Sequence, residues 1–206
     1  MYSGSRKCSS CVSIFILKKT FIFLKTMANN IAWLDLEMTG LDPETDNILE
    51  IGCFITNDAL EITSPIFHMI IHNSDDILKS MDKWCKKTHT KNGLITEVMN
   101  SKTSLEVAEK KLIQFFKAHA SSDKAIILAG NSIYIDKGFL CEHMPRLYPM
   151  LHYRVIDVSS FAEIFKRVNP QKYAQRPKKR CIHRAVNDIK DSLAEMQYYK
   201  SFISLT

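Results

Sequence analysis

Ile31-Ala-Trp-Leu-Asp-Leu-Glu-Met-Thr-Gly-Leu-Asp-Pro43 is the stretch on which the reading of this 206-residue chain turns. Ile31–Glu37 is apolar apart from two acids, and Thr39-Gly40 turns the chain away, so the segment reads as a strand ending at a rim that also carries Leu41. Strand side chains alternate between faces, so Asp35 and Glu37 project to the same side and can converge on one cation. Acids at the tip of an apolar strand are costly to bury unless something positive compensates them. Taken alone, the motif reads equally as two solvated acids at a strand end.

Outward from this stretch, Ile48–Thr56 and Ile66–His72 are short, apolar and flanked by turn-forming residues, and complete a three-strand start. Leu105–His119 has apolar positions at helical spacing, Ala125–Ala129 reads as a buried strand, and Lys137–Met144 as a helix. Val155–Val158 is expected to be a short strand, Ser159–Arg167 a helix capped by Ser159, and Ala185–Phe202 a long terminal helix. Strands first, then alternating helices and strands, imply an α/β layer fold with a mixed sheet. There is no internal repeat and no low-complexity linker.

The formal charge of +6 is uneven along the chain. Residues 1–30 hold Arg6, Lys7, Lys18, Lys19 and Lys25 and no acid; without those five, 23 of the 28 basic residues face 22 acids, a net charge of +1. A body so nearly neutral favours a short substrate over long nucleic acid gripped through many phosphates. The six cysteines are scattered through apparent strands and helices, which reads as reduced thiols in an intracellular compartment. Cys8-Ser-Ser-Cys11 has no second pair or nearby histidine to complete a zinc site.

Residues 1–26 are basic and acid-free, with apolar stretches split by Lys18-Lys19. That is the pattern of a mitochondrial presequence, and the split argues against a secretory signal. The alternative is a start at Met27, with residues 1–26 an unused extension ahead of a domain at 27–206. Neither stretch approaches the roughly 20 apolar residues of a membrane span, so no membrane partner is expected.

Two later segments carry chemistry. In Gly130-Asn-Ser-Ile-Tyr-Ile-Asp136, the chain turns after a buried strand and brings Asp136 near the start of the next helix, where a helix cap is the ordinary role. In His183-Arg-Ala-Val-Asn-Asp188, five residues at 3.6 per turn separate the two side chains by about 140° on a continuous helix. His183 is therefore expected at the loop-to-helix junction, with Asp188 projecting from the helix. The alternative for Asp188 is a solvated face shared with Asp191 and Glu195.

Together, in this order, these segments resemble the DEDDh exonucleases, and most closely the oligoribonuclease family. The resemblance runs from about Ile31 to Ile203 and includes Asp-Leu-Glu-Met-Thr-Gly-Leu-Asp-Pro, Thr88-His-Thr, Gly-Asn-Ser, His152-Tyr-Arg-Val-Ile-Asp-Val-Ser159 and His-Arg-Ala-x-x-Asp. It implies a ribonuclease H-like, three-layer α/β/α fold on a mixed five-stranded sheet. It also implies 3′–5′ hydrolysis of very short oligoribonucleotides, especially dinucleotides, to nucleoside 5′-monophosphates. Asp35, Glu37, Asp136 and Asp188 would hold two ions, and their oxygen-only donors suit Mg²⁺ or Mn²⁺ better than zinc. His183 would be the general base. Leu41 would wedge between two bases, and His89 and Ser132 would line the substrate pocket. Tyr153, Arg154 and Ser159 would be lent by a second subunit, which implies a homodimer with shared active sites.

Trp84 also fits the family pattern and reads as structural, and Asn187 stands where the family usually has another acid. Between Glu163 and Asp188 lie eight basic residues and no acid, a run that reads as a mobile solvated loop just before His183. Two rivals remain at this level: an exonuclease of the same type acting on longer RNA or DNA, and a catalytically silent binding module on the same fold. The near-neutral body disfavours the first and the complete five-residue set disfavours the second.

Overall fold

The computed structural model of the protein describes residues 30–121 and 124–203. The expectations for the leader lie outside these residues.

β1 (Ile31–Met38), β2 (Ile48–Thr56) and β3 (Phe67–Ile70) form an antiparallel meander, and β4 (Ile126–Gly130) and β5 (Leu151–Asp157) add in parallel on the other side of β1. The sheet order is β3-β2-β1-β4-β5. Alternation along β1 sorts its side chains between two cores. Ala32, Leu34 and Leu36 pack with Leu112 and Phe116 of α4 (Leu105–His119) and Phe139 and Leu140 of α5 (Ile133–His143). Ile31 and Trp33 instead face Ile189, Leu193 and Tyr199 of α8 (Ala185–Ile203) and Val158 of α6 (Val158–Val168). Helices therefore cover both faces of a mixed five-stranded sheet, the expected α/β/α arrangement of the ribonuclease H-like fold. The same alternation sends Asp35 and Glu37 to the α8 face.

Several boundaries differ from the sequence reading. The third strand is limited to Phe67–Ile70, and α5 begins four residues before Lys137, after Ser132 in a left-handed conformation. β5 begins at Leu151. Ser159 does not cap α6. The cap is Asp157, whose Oδ1 accepts the Ser159 backbone N–H at 2.9 Å and the Ser159 hydroxyl at 2.7 Å. A carboxylate accepting both donors of one turn anchors the first turn more firmly than a hydroxyl.

Three short helices had no sequence signal: α1 (Asp75–Ser80), α2 (Lys83–Lys91) and α3 (Leu94–Asn100). Each buries only one or two residues, too few to set a period, and together they cover Leu49 of β2. Local chemistry starts two of them: Ser74 accepts the Ile77 N–H, and Asp82 accepts those of Trp84 and Cys85. The short α7 (Pro170–Ala174) follows α6.

One close approach seats α8. Gly52 pairs with Asp35 across the β1–β2 ladder, and a Cβ there would stand 2.7 Å from the Ala185 carbonyl carbon and 2.8 Å from the Val186 nitrogen. Backbone therefore packs on backbone where α8 begins. Gly52→Ala is expected to destabilise the protein by about 1–3 kcal/mol through overpacking, read as a lower urea midpoint at unchanged m-value; an unaltered midpoint would contradict this packing.

Candidate active site

β1 delivers Asp35 and Glu37, and the first turn of α8 delivers Asp188. Each of the three offers a carboxylate oxygen, and these oxygens all lie within 4.8 Å of one another. Asp136, in the first turn of α5, is buried, and its Oδ1 accepts the Leu36 N–H at 2.8 Å. β1 pairs with β4 only through Trp33, so beyond that point the Asp136 carboxylate takes the place of a strand partner. It nevertheless remains an electrostatic neighbour of Asp35.

Four acids so close together resist ionisation. Burial first, then the charges of Asp136, Glu37 and Asp188, holds Asp35 well above the usual carboxylate range. Burial and Asp188 push Glu37 up to about 8, and burial pushes Asp136 up to about 7. Asp188 is also raised by burial, while His183, Lys179 and Arg180 oppose the rise. An oxygen-only donor set with this unmet negative charge is matched to hard divalent cations.

His183 lies in the loop before α8 with φ of 55°, a left-handed backbone unusual for a side-chain-bearing residue. Its carbonyl accepts from the Asn92 side chain, and its ring meets Trp84 edge to face at 5.3 Å. Trp84 is 59% exposed and touches His183. His183, Asp35, Glu37 and Asp188 line one cavity of about 240 Å³ together with Asn131, Lys179 and Cys181.

Glu50 lies opposite Glu37 on β2 but has a different fate. It is 1% exposed, and its oxygens accept from Arg184 Nε and Nη2 at 3.0–3.2 Å and from the Ala185 N–H at 3.1 Å. His68 Nε2 is 2.6 Å from Oε1, and Arg184 also makes two 2.8 Å bonds to Glu97. Although burial opposes it, these partners leave the Glu50 carboxyl below its ordinary range. The pair ties the residue after His183 to β2 and α3, and sequence reasoning missed it. An acid inside the apolar run Ile48–Thr56 was the one available signal, since a buried carboxylate needs a partner.

The end of the basic run, residues 177–184, is irregular and mostly exposed, as expected of a solvated loop, and several cations of the run have acidic partners. Arg176 and Lys179 reach buried Glu195 at 3.4 and 3.2 Å, and Arg180 pairs with Asp191 at 2.9 Å. Arg180 also contacts the Asn187 side chain, at 3.4 Å.

The remaining residues fall at two places. Leu41 is 69% exposed beyond the Thr39-Gly40 turn. His89 is buried behind Glu37: its Nε2 is 3.0 Å from the Met38 carbonyl, and Nδ1 is 3.9 Å from Glu37 Oε2. Ser132 and Ser159 meet at Asp157, which accepts both backbone N–H groups. Tyr153 and Arg154 sit on a bulge of β5, where Leu151 to Val155 spans only Ile126 to Leu128 of β4. Tyr153 is 73% exposed, the Arg154 guanidinium is 5.1 Å from its ring centre, and Lys137 Nζ holds the carbonyls of His152 and Tyr153.

The RNase_T family, described as exonuclease, matches residues 32–196. Mitochondrial oligoribonuclease of Mus musculus is 42% identical over 179 residues, covering 87% of this chain and 75% of that protein. Oligoribonuclease of Chromobacterium violaceum is 41% identical over 172 residues, covering 84% and 94%. Among solved structures, the zinc-bound complex of E. coli exonuclease I with single-stranded DNA aligns at a TM-score of 0.67 and 11% identity. That alignment covers 85% of this chain but only 41% of the exonuclease I chain, and supports the fold alone. Motif order, the clustered acids and relatives of this similarity agree: the chain belongs to the exonuclease family, among the oligoribonucleases.

Proposed function

We propose that the protein is a metal-dependent 3′–5′ exoribonuclease that hydrolyses very short oligoribonucleotides, especially dinucleotides, to nucleoside 5′-monophosphates at the end of RNA degradation. The observation that carries this reading is the meeting of Asp35, Glu37 and Asp188, with Asp136 behind them and His183 in the same cavity.

Two Mg²⁺ or Mn²⁺ ions held by the four carboxylates would stabilise charge on the phosphate and the leaving oxygen and make a bound water more acidic. The chain's own residues supply the rest. His183 accepts a proton at a ring nitrogen as the water oxygen attacks phosphorus; the bond from phosphorus to the 3′ oxygen breaks, and that oxygen takes up a proton. The left-handed backbone at His183 and the Asn92 clamp aim the ring into the cavity instead of along α8.

Leu41, exposed at the rim, separates the two bases, Ser132 bounds the pocket that receives them, and buried His89 backs Glu37 from behind. Tyr153 and Arg154, raised on the β5 bulge away from their own subunit, stack on and pair with a substrate held by a second copy, and Ser159 contributes from the same segment. The active form is accordingly a homodimer. Among the described residues no helix is long and apolar enough to cross a membrane. Residues 1–26 act as a mitochondrial presequence, in keeping with their basic, acid-free composition and with the mitochondrial relative.

Hydrolysis of a 5′-phosphorylated diribonucleotide and of a 20-nucleotide RNA by purified protein tests the reading. The dinucleotide should be cleaved faster, EDTA should stop cleavage, and His183→Ala or Asp188→Asn should remove most turnover. Preference for the long RNA would refute the substrate class, and wild-type rates in both variants would refute the site.

The acids make a separate prediction. Glu37 and Asp136 bind protons more tightly when folded than their ordinary carboxyl values allow, so the metal-free fold is favoured below the unfolded values and loses that advantage as pH rises to about 8. The melting temperature of EDTA-treated protein should therefore fall between about pH 5 and pH 8, and Mg²⁺ should raise it more at the upper end. A melting temperature that rises over this range would count against it. For the leader, a fluorescent fusion of residues 1–26 should enter mitochondria and the fusion lacking them should not; equal import of both would remove the presequence role.

A further inference from the structure

Of the cations in the basic run, Lys179 stands apart. Arg176, Arg180 and Arg184 are turned to acids outside the catalytic cavity, whereas Lys179 is, among the described residues, the one lysine or arginine lining that cavity beside Asp35, Glu37, His183 and Asp188. Its ammonium is held from two directions, 3.2 Å from Glu195 Oε2 and 2.7 Å from Asn131 Oδ1. Glu195 is 2% exposed and anchored by the Tyr199 hydroxyl at 2.7 Å, and Asn131, itself exposed, follows directly on β4.

The charge count around Glu195 explains the arrangement. One buried carboxylate faces two cations, Arg176 and Lys179, leaving one positive charge in excess at the edge of a cavity whose other charged lining residues are Asp35, Glu37 and Asp188. An ammonium has three N–H donors; one goes to Asn131, while Glu195 holds the charge as an ion pair without a hydrogen bond, so donors remain for a ligand. If the wall were acids alone, an incoming phosphodiester would meet like charge wherever no metal intervenes; a fixed cation supplies a donor from the protein itself.

Building on the proposed reaction, we propose that Lys179, oriented by Glu195 and Asn131, donates a hydrogen bond to a non-bridging oxygen of the phosphate being cleaved. Commitment to that phosphate, and not to a terminal one, follows from the cavity Lys179 shares with His183 and the three clustered carboxylates. Lys179 is then a substrate-contacting residue, and Glu195 and Asn131 are positioning residues acting through it.

The test uses the full chain with Mg²⁺ and two ligands: a 5′-phosphorylated diribonucleotide, and its analogue with an uncharged methylphosphonate in place of the linking phosphate. The first is followed as a substrate and the second as a competitive inhibitor. Lys179→Met should lower kcat/KM for the phosphodiester by roughly 10- to 100-fold, the size of a hydrogen bond to a charged group. The inhibition constant of the methylphosphonate should change by less than about 2-fold, because that ligand has no charged oxygen for the ammonium to meet. Lys179→Arg should recover part of the loss. An equal loss for both ligands, in Lys179→Met and in the milder Lys179→Gln, would make the residue a structural strut and overturn the proposal, as would unchanged kinetics in both variants. Failure of the wild-type protein to cleave the dinucleotide would instead refute the proposed function, so the two failures are distinguishable.

Discussion

Mutual repulsion among acids is the constraint around which the structure is arranged. Asp35, Glu37 and Glu50 project from adjacent strands, and Asp136 and Asp188 approach from two helices, so five carboxylates meet at one end of the sheet. The fold treats them in two ways. Glu50 is paired with Arg184, lies within hydrogen-bond distance of His68, and becomes a fastener. Among the described residues no guanidinium pairs directly with the other four; burial raises each of them, and neighbouring acids add to the rise, including Asp157 at Asp136 and Asp191 at Asp188, which suits them to external cations. Whether an acid here is structural or reactive depends on whether the chain brings it a guanidinium.

The fastener also governs geometry. By holding Arg184 and the Ala185 N–H, Glu50 fixes the residues immediately after His183, while Gly52 lets the start of α8 lie directly against β2. His183 is consequently held in a left-handed turn between a clamped carbonyl and a clamped neighbour. A ring presented in this way approaches the carboxylates from the loop side, while Asp188 reaches them from the helix, as their spacing in the sequence requires.

Much of this was legible in the sequence because it depends on local periodicity. Alternation alone put Asp35 and Glu37 on one face, and the long apolar pattern of Ala185–Phe202 marked α8 to within a residue of its observed end. What escaped was set by contacts between distant residues. Glu50 and Arg184 are separated by 134 positions, and neither strand nor helix pattern links them. The partners of the basic run, Glu195 and Asp191, were not legible because they lie on a helix that itself reads as an ordinary amphipathic surface. Only the fold reveals that α2 carries Trp84 to His183. Helices α1–α3 bury too little to impose a period and depend on their caps and on Leu49 beneath them.

The bulge in β5 bears on how copies of the chain can meet. β5 is an edge strand, and an edge normally offers a row of free N–H and C=O groups on which another strand can grow. Around the bulge those groups are already engaged: Lys137 holds the carbonyls of His152 and Tyr153, and the Arg154 N–H is turned onto the His152 ring. The sheet therefore cannot be extended through this segment into a continuous intermolecular sheet. Strand addition is thereby opposed at this segment, which protects an otherwise exposed margin from open-ended strand stacking and aggregation.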